Sequence, residues 1–245
     1  MPGPISRLWR RDVTGCTEEG GLDYAGSDSR LSLLRGSDLY RLELQQLSKR
    51  YGRLRVFRGI EAAVEDGQVL VVAGRNGSGK STLLRIIAGL TRPTSGQVRF
   101  REGGRILSPE ERRQRTGLVA VDVALYGELT AWENLSFFAR VRGVPVTPAE
   151  TKRLLEQVGL TGRGADLVQT YSSGMRQRLK YACAMLHCPP FLLLDEPGSN
   201  LDEAGRAMVE ALIARQREQG LLVLATNDPH EVTYGDVVLR LEGEA

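Results

Sequence analysis

The residues from Gly74 to Thr82, GRNGSGKST, carry the strongest chemical signal in this chain. They fit the pattern G-x-x-x-x-G-K-[ST], in which glycines let backbone N–H groups turn towards phosphates. Lys80 is placed to reach the β- and γ-phosphates of a nucleotide, and the Ser81 hydroxyl is placed to reach Mg²⁺. The residues expected to contact nucleotide here are Gly74, Asn76, Gly77, Ser78, Gly79, Lys80, Ser81 and Thr82.

A second chemical signal is a pair of carboxylates after an apolar run, in the segment FLLLDEP from Phe191 to Pro197. One carboxylate at the end of a buried strand can hold the Mg²⁺ shell, and the next can polarise a water. We assign Asp195 to the metal and Glu196 to the general base. Taken alone, the segment reads equally well as a core strand with a solvated acidic exit. The phosphate loop that precedes it favours the catalytic interpretation.

The elements that must position these groups are readable on both sides of the loop. The apolar run Val69 to Ala73 predicts a buried strand, and Ser81 to Gly89 predicts a helix closed by a glycine. A strand, a glycine loop and a helix are the context that the phosphate-loop pattern needs. The helix N-terminus adds free N–H donors and a partial positive charge to the phosphate site.

A third segment, YSSGMRQR from Tyr171 to Arg178, resembles the LSGGQ-type signature of ABC-transporter ATPases. The resemblance covers residues 38 to 242 and extends to Tyr51 and to the segment SNLD that ends at Asp202. It implies that Ser173 and Gly174 grip the γ-phosphate of ATP on the opposite subunit. It also implies that Tyr51 stacks on adenine, although a tyrosine at this position could equally be a core residue.

Two positions depart from that family's pattern. Val121 stands where a glutamine normally joins the Mg²⁺ shell, and valine has no polar atom for that contact. Asp122 is adjacent, but a continuing strand would point it to the opposite face. Asn227 replaces the switch histidine; its amide can donate to a phosphate oxygen but cannot take up a proton as imidazole does. We interpret His230 as a solvated residue of a helix capped by Asp228, rather than as a substitute switch.

These departures, together with the segments YSSGM and ATNDP, resemble the ATPase subunits of haem exporters of the cytochrome c maturation type. The resemblance implies an ATP- and Mg²⁺-dependent ATPase that works as a homodimer or heterodimer of such domains. It also implies an integral membrane permease as partner and a cytoplasmic location, peripheral on the inner face of the cell membrane. The haem cargo rests on resemblance alone.

Composition agrees with a globular α/β domain of 245 residues, 41% hydrophobic and 26% charged. A net charge of +3 is too small to indicate nucleic-acid binding. Arg99 to Arg115 is locally basic with interspersed glutamates, which indicates a solvated arm. No apolar run approaches the ~20 residues needed to cross a bilayer, so we expect any transport to need a separate pore-forming subunit.

The order of patterns predicts the fold. Residues 1–37 mix glycine, serine and scattered charge, and we interpret them as a disordered extension or a misassigned translation start. Leu39 to Leu47 alternates like a half-buried strand that could pair with Ile60 to Val64. Residues 38–245 then alternate strand and helix, which predicts a phosphate-loop NTPase with a mostly parallel sheet flanked by helices. Helical spacing at about 125–185 predicts an inserted helical subdomain, in which Thr147 and Glu150 form a capping box.

The sequence therefore predicts an ATP-binding and ATP-hydrolysing subunit of an ABC transporter. An alternative is a nucleotide-gated binding module that closes on ATP but hydrolyses poorly, which Val121 and Asn227 favour. A soluble ABC protein of translation or repair is disfavoured. Such translation factors carry two domains of this kind in one chain, and such repair proteins carry long coiled-coil insertions.

Overall fold

The computed structural model describes residues 39–120 and 122–242. Within them the chain forms two compact units. The sheet unit comprises residues 39–120, 190–197 and 216–242, and the helical unit comprises residues 122–189 and 198–215. The strands are β1 (Tyr40–Tyr51), β2 (Leu54–Glu65), β3 (Val69–Gly74), β4 (Ser95–Glu102), β5 (Arg105–Ile106), β6 (Thr116–Val119), β7 (Phe191–Asp195), β8 (Leu221–Thr226) and β9 (Val237–Leu241). The helices are α1 (Lys80–Ile87), α2 (Pro109–Gln114), α3 (Ala131–Arg142), α4 (Pro148–Gln157), α5 (Ser173–Met185), α6 (Glu203–Gln219) and α7 (Pro229–Val232), with a 3₁₀ turn at Val168–Thr170.

The larger sheet is parallel and has five strands in the order β6-β7-β8-β3-β9. The residues predicted to act on the nucleotide lie at the carboxyl ends of its strands. Every residue of β7 and β8 is buried, as expected for strands that are covered on both faces. Ala73 pairs with Thr226, and Asp195 pairs with Ala225. This register aligns the carboxyl ends of β3, β7 and β8, which is where ligands bind in open α/β sheets.

The second sheet of this unit is antiparallel, with the strand order β2-β1-β4-β5. The predicted pairing of the first strand with Ile60 to Val64 is confirmed, since Leu42 pairs with Val64 and Leu47 with Ile60. Leu42, Leu47 and Phe100 from this sheet are buried in one core with α1 and the parallel sheet. Burying each such side chain contributes about 1.5–3 kcal/mol, so the core fixes the strand and helix that flank the phosphate loop.

Two helices of the helical unit begin with a capping box. Thr130 with Glu133 and Thr147 with Glu150 form capping boxes at the starts of α3 and α4, and the second of these was predicted. Within this unit α5 packs against both α3 and α4. No helix in residues 39–120 and 122–242 is long and apolar enough to span a bilayer.

Two local predictions are wrong. β6 ends at Val119, so the strand does not continue to Asp122, and the argument that pointed the Asp122 side chain to the opposite face does not apply. Val121 itself lies outside the described residues, as does the predicted extension over residues 1–37. The basic stretch from Arg99 to Arg115 is no solvated arm: it contains β5, α2 and part of β4, and its Phe100 and Leu107 are buried in the core.

Candidate nucleotide-binding site

Two glycines give the phosphate loop a backbone that other residues rarely adopt. Gly77 and Gly79 have φ values of 84° and 98°, in the left-handed region that favours glycine. A Cβ added at Gly79 would lie 2.5 Å from Cγ1 of Val56 on β2. The loop therefore packs against β2 through Gly79, and a side chain there would push the two elements apart.

Lys80, the first residue of α1, is 5% exposed and its ammonium group is fully engaged. The Nζ atom donates to the carbonyl oxygens of Gly74 at 2.8 Å and of Arg75 at 3.2 Å. It also lies 3.1 Å from Oε1 of Glu196, whose side chain is 20% exposed. An ammonium group has three hydrogens, so these partners account for all of them.

Asp195 lies at the end of β7, beside the start of α1. Burial raises the pKa of its carboxyl above the ordinary value, whereas the hydrogen bond from the Ser81 hydroxyl and the positive charge of Lys80 lower it. Its Oδ1 atom is buried and makes no hydrogen bond to any described residue. A buried carboxylate oxygen without a donor, next to a serine hydroxyl, suits a hard cation that takes oxygen ligands.

The donor set fits Mg²⁺ better than a cation that needs a full protein cage. Within residues 39–120 and 122–242, no group of three or more His, Cys, Asp or Glu side chains could hold a metal. Mg²⁺ is usually bound by one or two carboxylates together with substrate phosphates and waters. Ser81 and Asp195 together supply a protein contribution of that size.

Glu196, the residue after β7, is held in an uncommon conformation. Its φ is 49°, a left-handed value that is rare outside glycine and is costly unless the surroundings support it. Its N–H donates to the Ala225 carbonyl at 2.8 Å, which joins it to β8. The side chain lies between Lys80 on one side and the backbone N–H of Asn227, which donates to Oε2 at 3.4 Å, on the other.

Asn227 joins the end of β8 to the phosphate loop. Its Nδ2 atom donates to Oδ1 of Asn76 at 2.9 Å. The two asparagines are far apart in the sequence, and their contact was not predicted. His230 is exposed in α7, and Asp228 caps that helix by accepting from the His230 N–H at 2.8 Å, so the interpretation of His230 as a solvated helix residue is confirmed.

Tyr51 ends β1 with 52% of its surface exposed, so the alternative that it is a core residue is wrong. The Lys49 ammonium lies 4.6 Å from the centroid of its ring, which is cation–π distance. An exposed ring at the tip of a hairpin is free to stack on a planar ligand. Stacking on adenine stays a prediction.

The signature segment forms the start of α5 in the helical unit. Ser172 caps the helix by accepting from the Met175 N–H at 3.2 Å, and Ser173 is the first helical residue. A Cβ at Gly174 would lie 3.0 Å from the carbonyl oxygen of Asn200, which indicates why a small residue stands there.

Comparison with known proteins identifies the family. The family model described as "ABC transporter" matches residues 57–199, which is more than half of the chain. This chain belongs to the ABC transporter ATP-binding family. The resemblance seen in the sequence and the predicted fold class are both confirmed.

Several similar proteins are also named as ATP-binding proteins or subunits. The cytochrome c biogenesis ATP-binding export protein CcmA of Haemophilus influenzae is 34% identical over 77% of this chain and 89% of its own length. The linearmycin resistance ATP-binding protein LnrL of Bacillus subtilis is 34% identical over 76% of this chain and 60% of its own length. A solved ATP-binding subunit of an ABC transporter superposes with a TM-score of 0.71 and 30% identity, covering 82% of this chain and 85% of that one. The chain spans 53% to 60% of the length of several curated relatives.

Sequence reasoning about this ABC domain missed two contacts: the one between Asn76 and Asn227, and a buried pair formed by Thr226 and Glu231. A weak signal for the second was present. Thr226 is a polar residue that closes the otherwise apolar strand LLVLAT, and Glu231 follows within one short helix.

Replacing Asp195 by asparagine should separate the stability of the ABC domain from its metal binding. Because burial raises the pKa of this carboxyl, ionising it costs more in the folded than in the unfolded protein, and this cost lowers stability as the pH rises. Asparagine is neutral and avoids the cost. At pH 7 we therefore expect the ligand-free Asp195→Asn variant to melt no lower than the wild type. The additional rise in melting temperature that Mg²⁺ gives in the presence of ATP should disappear. Thermal melts with ATP, with and without Mg²⁺, measure both effects.

Asp66 offers a matched control. Burial also raises the pKa of its carboxyl, and its Oδ1 atom likewise makes no hydrogen bond to a described residue. Asp66→Asn should therefore resemble Asp195→Asn without ligand and keep the Mg²⁺-dependent rise. Loss of that rise in both variants, or in neither, would contradict the assignment of Asp195 to the metal.

Proposed function

We propose that this chain binds MgATP and hydrolyses it to power an ABC transporter through a separate membrane subunit. The observation that carries the proposal is the meeting of Lys80 from the phosphate loop with Glu196 from the end of β7, 3.1 Å apart. A cation for phosphates and a carboxylate for a water are the two groups that phosphoryl transfer to water needs.

Binding of ATP begins at the phosphate loop. The ammonium of Lys80 is already held by the carbonyls of Gly74 and Arg75, so it is pre-oriented for the β- and γ-phosphates. A phosphate oxygen takes the place of the Glu196 carboxylate at Lys80. The backbone N–H groups from Gly77 to Thr82 add further donors at the start of α1.

Ser81 and Asp195 are the residues we assign to Mg²⁺. The Ser81 hydroxyl and the Oδ1 atom of Asp195, which lacks a protein donor, provide oxygen ligands at the same edge of the sheet. Held by these two residues, Mg²⁺ would supply positive charge that offsets the negative charge of the phosphates.

Glu196 serves as general base once it has left Lys80. Its Oε2 atom accepts from the backbone N–H of Asn227, which keeps the carboxylate at the carboxyl edge of the sheet. The Asn227 side-chain amide can donate to the γ-phosphate after it releases Asn76. In this scheme the proton of the attacking water passes to Glu196, and inorganic phosphate and ADP leave.

We propose that two such domains, identical or different, share the nucleotides between them. Ser173 and Gly174 at the start of α5 would then grip the γ-phosphate on the partner domain, and Tyr51 would stack on the adenine of its own. The first turn of α5 contains no acidic residue, so nothing in it opposes an anion at this helix N-terminus.

The membrane subunit and the cargo complete the proposal. We place the protein on the cytoplasmic face of the cell membrane, bound to an integral membrane permease. Haem, exported for cytochrome c biogenesis, is the cargo we propose, because CcmA is among the named relatives and Asn227 matches the resemblance to that group. Other relatives carry names such as linearmycin resistance, so haem must be tested against different cargoes.

The test is ATP turnover by the complete transporter. Purified protein should release phosphate from MgATP, and reconstitution with its membrane permease should raise the rate. Haem should raise the rate further, whereas linearmycin or a polyamine should not. Stimulation by one of these other cargoes, but not by haem, would retain the motor and overturn the haem assignment.

The second candidate function is a nucleotide-gated module that binds ATP and hydrolyses it poorly. Valine at position 121 and asparagine at position 227 favour it, because both remove groups that other members use around the γ-phosphate. If the wild type, reconstituted with its permease, turned over no faster than a variant without the general base, this second function would replace the first.

Replacing Asn227 by alanine should slow turnover without preventing binding. The variant loses the amide donor to the γ-phosphate and the contact with Asn76, while Lys80 and Glu196 remain. We expect kcat to fall by about tenfold to a hundredfold, which corresponds to roughly 1.4–2.7 kcal/mol of barrier. Steady-state phosphate release measures it, and an unchanged kcat would remove Asn227 from the reaction.

A further inference from the structure

A buried carboxylate lies directly behind the end of β8. Glu231, in α7, is 8% exposed, and Thr226, the last residue of β8, is 0% exposed. The Thr226 hydroxyl donates to the Glu231 carboxylate. Burying a carboxylate is costly unless it is hydrogen-bonded, so this contact is part of what makes the position tolerable.

The same hydroxyl has a second partner. The Oγ1 atom of Thr226 accepts from the N–H of Asp228 at 2.9 Å. A hydroxyl has one hydrogen and two lone pairs, so donation to Glu231 fixes its rotation and leaves a lone pair for Asp228. The Asp228 side chain in turn accepts from the His230 N–H at 2.8 Å and holds α7.

Asn227 lies between the two residues that this network holds. Thr226 precedes it in β8, and Asp228 follows it as the cap of α7. The backbone N–H of Asn227 is the group that donates to Oε2 of Glu196, and its side chain reaches Asn76. The orientation of both Asn227 donors therefore depends on a backbone that is fixed on each side.

We propose that Glu231 is a positioning residue for ATP hydrolysis, acting through the Thr226 hydroxyl to hold Asn227 against Glu196. The proposal rests on the proposed function, because it concerns the same reaction. In this scheme Glu231 is itself neither the base nor a phosphate ligand. Its effect reaches the base through one hydroxyl, one peptide unit and one N–H donor. The carboxylate acts as a hydrogen-bond acceptor, so a glutamine with a carbonyl oxygen should replace it.

Four single variants test the proposal in the full-length protein, reconstituted with its permease where basal turnover is low. Glu231→Ala and Thr226→Val each break the buried contact, while Glu231→Gln keeps an acceptor. Thr116→Val is the matched control: Thr116 is also a buried threonine at a strand end, and its hydroxyl donates to the Arg112 carbonyl at 2.7 Å. Thr116 begins β6 and pairs with Phe191, so it lies at the amino ends of the strands, whereas Asp195 lies at the carboxyl end of β7.

We expect kcat of Glu231→Ala and of Thr226→Val to fall about tenfold, while the MgATP dissociation constant stays within about twofold. Glu231→Gln should keep kcat within about threefold of the wild type. Thr116→Val should lower the melting temperature by an amount similar to Thr226→Val without changing kcat. A role limited to stability would lower the melting temperature of both threonine variants and leave kcat unchanged in both.

Two results would overturn the proposal. One is a Thr226→Val variant whose kcat falls no more than that of Thr116→Val, a measurement that remains available if Glu231→Ala fails to fold. The other is a Glu231→Gln variant as slow as Glu231→Ala, which would exclude the acceptor role. If the wild type releases no phosphate from MgATP, the proposed function fails instead, and the two failures are distinct.

Discussion

Replacing Glu196 by glutamine should abolish ATP turnover and leave nucleotide bound. The variant keeps the shape of the side chain but loses the carboxylate that takes the proton of the attacking water. Removing a general base typically costs a factor of about 10²–10⁴ in rate. The ion pair with Lys80 is lost as well, so the Lys80 ammonium becomes more available to phosphates. Phosphate release, measured together with equilibrium MgATP binding, separates the two effects.

The same variant tests whether two domains share the nucleotide. With hydrolysis blocked, Glu196→Gln should elute as a dimer on size exclusion with MgATP and return to a monomer when ATP is removed. Glu102→Gln is the matched control, because the Glu102 side chain is also 20% exposed and pairs with a cation, Arg115, at 3.0 Å. It should hydrolyse ATP like the wild type. A Glu196→Gln protein that stays monomeric at saturating MgATP would argue against the shared site.

The local parts of the nucleotide site could be predicted because their signals are contiguous. The strand Val69–Gly74, the glycine loop and the helix from Lys80 follow each other directly, and each has its own residue pattern. The place of Asp195 at the end of a buried strand was also predictable, because four consecutive apolar residues precede it. For such segments, spacing along the chain determines spacing in the fold.

The contacts between segments could not be predicted in the same way. The distance from Lys80 to Glu196, and the contact of Asn76 with Asn227, depend on the order of strands in the parallel sheet. That order places β8 between β3 and β7. A single sequence predicts that these strands exist, but it does not show which strands are neighbours in the sheet.

The first strand shows a different limit. We expected a strand over Leu39 to Leu47 from its alternation, but β1 continues to Tyr51. The alternation breaks because the register shifts between Leu44 and Leu47, where Gln46 has a φ of 47°. A bulge changes the face on which later residues lie, so a pattern of period two stops predicting the strand although the strand continues.

Replacing Lys80 by alanine should weaken MgATP binding by at least tenfold. The variant loses a charge-assisted contact with the phosphates, worth about 1.5–3 kcal/mol. It also leaves Glu196 without its cation, so a carboxylate that was neutralised at 3.1 Å now faces the incoming phosphates. Both effects act against ATP. Calorimetric titration at fixed ionic strength measures the change, and Lys152→Ala, at an exposed helical lysine, is the control.

A double-variant cycle separates these two effects on MgATP affinity. If repulsion by Glu196 contributes, Lys80→Ala combined with Glu196→Gln should bind MgATP more tightly than Lys80→Ala alone, because the unpaired carboxylate is gone. Groups in direct contact typically couple by about 0.5–3 kcal/mol. In a melt, MgATP at a hundred times its dissociation constant should stabilise the wild type by roughly 2.7 kcal/mol and the Lys80→Ala variant by less. Equal affinity in the wild type and Lys80→Ala would remove Lys80 from the phosphate site. Purely additive variants would mean that the Lys80–Glu196 interaction does not change when MgATP binds, which would contradict the displacement of Glu196 by phosphate.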